Sequence, residues 1–221
     1  MEMLLLACGV FLATHFVPST PLRAPLVKAL GQWGYTGVYS AVAFATIGWM
    51  VWAYNRTPVE PIWPGLRELP AIVMPLSFVL LACGLFARNP TIVGMDGLLK
   101  NDDPARGIIR VTRHPIMWSF MLWAAAHILA RGELKALVFF GSFLVLGALG
   151  AILMDRRKEQ ALGTDWQRFA KATSYFPFLA IAQGRNRLDL KEIGWRNPAI
   201  GLALYALFFW FHLALFDARP W

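Results

Sequence analysis

Four histidines hold most of the chemical capacity of this 221-residue chain, and three of them, His15, His127 and His212, lie inside stretches apolar enough to cross a bilayer. Ionisable side chains in a membrane core cost roughly 2.5 to 3.5 kcal/mol on insertion scales for the charged types, so where they occur they commonly face a cofactor, ion or substrate. Imidazole serves haem iron, copper, zinc and non-haem iron. Hydrolytic zinc and non-haem iron sites usually add a carboxylate or thiolate, and none of the apolar stretches contains Asp or Glu. The two cysteines, Cys8 and Cys83, have no close Cys or His spacing and read as buried free thiols. A porphyrin needs only axial ligands, and abundant Phe, Trp, Leu and Gly can line a flat apolar slot, so haem with histidine ligation is the economical reading. The competing reading makes each histidine an interhelical hydrogen-bonding residue.

The elements that carry these residues are hydrophobic spans. The chain is 57% hydrophobic and only 15% charged, against about 25% charged in soluble domains. Mean hydropathy is +0.50, with 10 Trp, 16 Phe and 18 Gly. Six segments follow, at Met3 to Val17, Trp33 to Tyr54, Ala71 to Ala87, Pro115 to Ala130, Ala136 to Met154 and Pro198 to Phe216. The predicted fold is therefore all-α, a polytopic membrane bundle of about six transmembrane helices forming one domain over residues 1–221. The first segment has no basic start and no small-residue cleavage site, so it reads as a retained helix rather than a signal. The net charge of +8 suggests membrane headgroups rather than nucleic acid, because Lys and Arg fall between the spans.

Orientation follows from those charges. The connections after the first, third and fifth spans carry 16 Lys and Arg, the opposite side 5. The positive-inside rule places both termini outside and makes residues 88–114 and 155–197 a cytoplasmic layer. Within it, Asp155 to Glu159 leads to Trp166, Phe169 and Tyr175 to Phe178, a pattern that suits a helix against the membrane surface. At 1.5 Å per residue, His15 stands roughly 18 Å from the outer end of its span and His127 roughly 18 Å from the inner end of its own, which puts them at similar depths. His212 falls close to the level of His127, and geometry allows any pair of the three. His114 lies too far toward the cytoplasm to share their metal. With Arg110 and Arg113 it forms a basic mouth at the entrance of the fourth span, suited to cofactor propionates or lipid phosphates and equally to an ordinary positive flank.

The segment from Arg113-His114-Pro115 through Trp118, Trp123 and His127 to Gly132 resembles the signature of the NnrU family, membrane proteins related to plant zeta-carotene isomerase and found with bacterial denitrification functions. The helix carrying His15, the segment Gly31 to Ser40, and Asp155 to Phe178 with Gly163, Trp166, Phe169 and Pro177 are also similar to that family, so the likeness covers nearly the whole chain. It implies haem b with His15 and His127 as axial ligands, redox-dependent cis-trans isomerisation of a hydrophobic, unsaturated substrate, and residence in a bacterial cytoplasmic membrane. Arg110, Arg113 and His212 join the expected cofactor-binding set. One departure is Ala124, where those isomerases carry a cysteine implicated as an alternative ligand.

A weaker similarity links the Arg-His-Pro triplet and the Tyr/Phe-Pro segment to membrane methyltransferases that use S-adenosylmethionine. That reading would place the cofactor at His114 rather than at the midplane histidines. Met117 and the separated acids Asp155 and Glu159 depart from the methyltransferase pattern. A third class is a non-catalytic haem-linked sensor or assembly protein.

Overall fold

The computed structural model describes residues 1–219 and is helical throughout its regular elements. The helices are α1 (Glu2–Phe16), α2 (Arg23–Arg56), α3 (Leu69–Phe86), α4 (Pro115–Arg131), α5 (Leu134–Leu162), α6 (Thr164–Ala172), α7 (Leu179–Ala182), α8 (Leu190–Ile193) and α9 (Arg196–Phe216). Five helical stretches, 2–19, 23–56, 69–86, 134–162 and 196–216, have the length and hydropathy to cross a membrane. With 17 residues, α4 is about 25 Å long and completes a bundle of six. The long helices form a row in the order α9, α3, α4, α5, α1, α2. Large apolar side chains face outward, with Phe44 77%, Ile72 74% and Trp210 81% exposed, which requires lipid as their solvent. Between helices, small residues permit close approach. A Cβ on Gly201 of α9 would stand 2.6 Å from the Phe78 carbonyl oxygen of α3. Ser77 of α3 donates to the Ser119 carbonyl of α4 at 2.8 Å.

Three differences from the sequence expectation bear on the site. First, α5 does not stop at Met154 but continues to Leu162. Its polar extension, Arg-Arg-Lys-Glu-Gln-Ala-Leu, is made almost wholly of strong helix formers, so residues 155–162 are helix rather than connection. Second, α6 does not lay its aromatics on the membrane. Trp166 and Phe169 are 1% and 0% exposed and pack with Leu80, Cys83, Leu99, Ile109 and Val111 in a separate core at the basic end. Third, α2 breaks at Gly31, whose φ of 71° and ψ of 165° lie outside the helical region. A side chain would be strained there, and the break separates Arg23–Leu30 from the spanning part.

Candidate functional site

His15 and His127 are presented in the same way. Each Nδ1–H donates to the backbone carbonyl four residues earlier, His15 to Phe11 at 2.8 Å and His127 to Trp123 at 2.8 Å. A carbonyl can only accept, so the proton belongs on Nδ1 and the neutral ring keeps its lone pair on Nε2. That is the arrangement a metal-ligating histidine uses, with the second ring nitrogen fixing the tautomer and orientation. Nδ1 of His212 likewise donates to the Ala218 carbonyl at 2.7 Å. Among the described residues no group of three or more His, Cys, Asp or Glu is placed to hold a metal ion. Each of the three imidazoles thus offers a single Nε2 donor.

The two histidines are not neighbours. A row of rings joins them: His15 to Phe11 at 4.1 Å, Phe11 to Phe143 at 4.9 Å, Phe143 to Trp123 at 5.1 Å and Trp123 to His127 at 5.6 Å. Helix α1 runs parallel to α5, since Cys8 meets Val138 and Phe11 meets Phe143. Helix α4 runs antiparallel to α5, with Trp123 at Phe143 and His127 at Phe140. From the level of Phe143, His15 lies one turn toward the basic end, while His127 sits one turn away from it, so their depths differ by about 10 Å. The equal depth expected from counting residues fails because α1, at 15 residues, is about 23 Å long and short of a core of about 30 Å. Its last turn, which holds His15, sits close to the basic end.

At the basic end, the histidine and arginines of the expected mouth are mostly satisfied by protein. His114 is 2% exposed and its Nε2 lies 2.7 Å from Asp155 Oδ1, tying the start of α4 to α5. Arg110, 5% exposed, donates twice to Glu192, at 2.7 and 2.9 Å, to Asn186 at 2.8 Å and to Asp103 at 2.6 Å. Those bonds from Arg110, with a lesser contribution from the Gly107 N–H, hold the Glu192 carboxyl down at about 2. The bond to Glu192 raises the Arg110 guanidinium above its ordinary value. Arg113 differs. Its Nη1 stands 3.5 Å from Asp155, and its buried Nε has no partner among the described residues. Burial pushes the Arg113 guanidinium below its ordinary value, with Asp155 pulling the other way. Of the two arginines, only Arg113 retains a free buried donor.

The tyrosines around His15 fell within the family-like segment Gly31 to Ser40, but sequence reasoning gave them no role. The His15 ring lies 5.8 Å from Tyr39, and Tyr39 lies 6.2 Å from Tyr35. Both tyrosines and Arg23 stand in the field of Arg157. The four-residue spacing of Tyr35 and Tyr39 also puts them on one helical face. Ala124 packs in the same apolar core as Cys8, Phe11 and Ile128.

Comparison with known proteins adds identity to this geometry. The profile of a family described as NnrU protein matches residues 3–220. A chloroplastic 15-cis-zeta-carotene isomerase of Zea mays is 32% identical over 237 residues, covering 100% of this chain and 63% of that protein. A chloroplastic 15-cis-zeta-carotene isomerase of Arabidopsis thaliana is 38% identical over 164 residues, covering 70% of this chain and 42% of that protein. The chain therefore spans less than two thirds of the length of either relative. No solved structure matches it.

Proposed function

The chain belongs to the NnrU family, and from that premise we propose that it is a haem b membrane protein acting as an isomerase on a hydrophobic, unsaturated substrate. One observation carries the haem part of the reading. His15 and His127, the two histidines the family resemblance selects, both commit Nδ1 to a helix carbonyl at 2.8 Å and leave Nε2 to bind. A bound haem would be held by the Nε2 atoms of His15 and His127 and would supply a redox-active iron. The chain's own contribution is orientation and exclusion of water. Phe11, Phe143, Trp123 and Phe140 provide flat apolar faces between and beside the imidazoles, and such faces suit a polyene as well as a porphyrin. The isomerase part is supported by the names of the relatives, whose substrate is 15-cis-zeta-carotene. A bacterial cytoplasmic membrane and a link to nitrogen oxide metabolism belong to the same reading.

A second reading pairs His127 with His212, whose Nδ1 likewise donates to a backbone carbonyl, that of Ala218 at 2.7 Å, and leaves its Nε2 to bind. Single replacements decide between the pairs. With His15 and His127 as ligands, His15→Ala and His127→Ala each convert the iron to high spin or reduce haem content, while His212→Ala leaves a low-spin spectrum. With His127 and His212 as ligands, the roles of His15 and His212 exchange. Equal losses from all four replacements, His114→Ala included, would refute both assignments.

A further inference from the structure

Two guanidinium groups, those of Arg23 and Arg157, lie where the end of α1 meets α2 and α5. Nη1 of Arg157 donates to the Pro18 carbonyl at 3.2 Å. Arg23 lies over the Tyr35 ring, 5.8 Å from its centroid, and donates to Gln32 Oε1 at 3.3 Å. Arg157 feels the charge of Arg23, and the one carboxylate in its field is Asp96. That carboxylate is already bound to Lys158. Among the described residues, no ion pair within 4.0 Å involves Arg23 or Arg157, whereas Arg110, Arg113 and Lys158 each have at least one. Under Arg23, Tyr35 is 7% exposed, and its buried Oη has no hydrogen-bond partner among the described residues. A buried hydroxyl without a partner costs about 1 to 3 kcal/mol. Two like charges at a half-buried site are also unfavourable unless an anion joins them.

We propose that Arg23, Arg157 and Tyr35 form a binding site for the oxyanion of a membrane-embedded amphiphile, a carboxylate or phosphate monoester or diester. Two arginines and a hydroxyl donor match the lone pairs of such a group. The site lies at the basic end, where anionic headgroups are met. Tyr39 connects it to His15, at 5.8 Å between ring centroids, so an amphiphile anchored here directs its apolar body toward that histidine. Two sources carry this chemistry: a haem propionate, which rests on the haem reading above, and a phospholipid headgroup, which does not.

The test uses the full chain in detergent, prepared under haem limitation, with two pairs of probes: haemin against haemin dimethyl ester, and phosphatidylglycerol against phosphatidylcholine. If propionate is the occupant, the wild type binds haemin about tenfold or more tightly than the diester, the worth of one charge-assisted hydrogen bond. Arg23→Gln/Arg157→Gln abolishes that preference and Tyr35→Phe reduces it. If headgroup phosphate is the occupant, phosphatidylglycerol raises the melting temperature above that in phosphatidylcholine, and the same variants lose the increment. Arg157→Lys retains the charge and should retain part of either preference, which separates loss of the site from loss of the fold. Failure of haemin to bind at all overturns the haem reading and leaves the lipid comparison to decide. If neither preference exists, or neither depends on Arg23, Arg157 and Tyr35, the proposal is wrong.

Discussion

Replacing Glu192 with Gln should release the part of the basic-end cap that Arg110 holds together. In the folded chain the Glu192 carboxyl sits at about 2 against an ordinary value of 4.5, which corresponds to about 3 kcal/mol at 1.36 kcal/mol per tenfold change. Its side chain is only 16% exposed, so solvent screening removes little of this. The folded value is depressed, so the stabilisation is complete above the ordinary carboxylate range, declines as pH falls, and vanishes below about 2. Glutamine keeps some hydrogen bonding, and the expected loss at pH 7 is about 2 to 3 kcal/mol, or roughly 4 to 12 °C in Tm for a chain of this size. The assay is thermal unfolding of wild type and Glu192→Gln in one detergent at pH 7 and pH 3. The gap should shrink to about half at pH 3. Equal stability at pH 7, or a gap that is the same at both pH values, would refute the reasoning.

Two further outcomes are expected. His114→Ala and Asp155→Ala should each cost about 1 to 3 kcal/mol, because each leaves its partner without its main bond, and the double variant should cost less than the two together; additive losses in the same thermal assay would count against the pair. A reporter fused after Trp221, a residue outside those described, should be active outside the cytoplasm if the 16 to 5 charge asymmetry sets topology, and activity inside would mean an odd number of crossings.

The six spans were legible because lipid imposes a continuous apolar run on each, and ten of the twelve predicted starts and ends fall within two residues of those observed, the start of α2 (Arg23 rather than Trp33) and the end of α5 (Leu162 rather than Met154) being the exceptions. The end of α5 was hidden because hydropathy marks where a helix leaves the membrane, whereas Arg156 to Leu162 continue the helix by propensity. For α6 the aromatic residues were legible and their destination was not. Trp166 and Phe169 have the spacing of an amphipathic helix, and nothing local distinguishes a membrane surface from the buried cluster at Leu80 and Ile109. The partners of Arg110 were likewise invisible, since Glu192 lies 82 residues away. His15 and His127 were found by type and setting, but their difference in depth depends on where α1 ends relative to α5, which is a matter of packing.

The central claim is that the chain carries haem b on histidine. The most direct measurement is the absorption spectrum and pyridine haemochromogen assay of the full chain purified in detergent from haem-replete cells. The account predicts about one haem b per chain with a low-spin spectrum, as expected when two imidazoles fill the axial positions. A chain with no Soret band, no extractable haem and no uptake on reconstitution would contradict it.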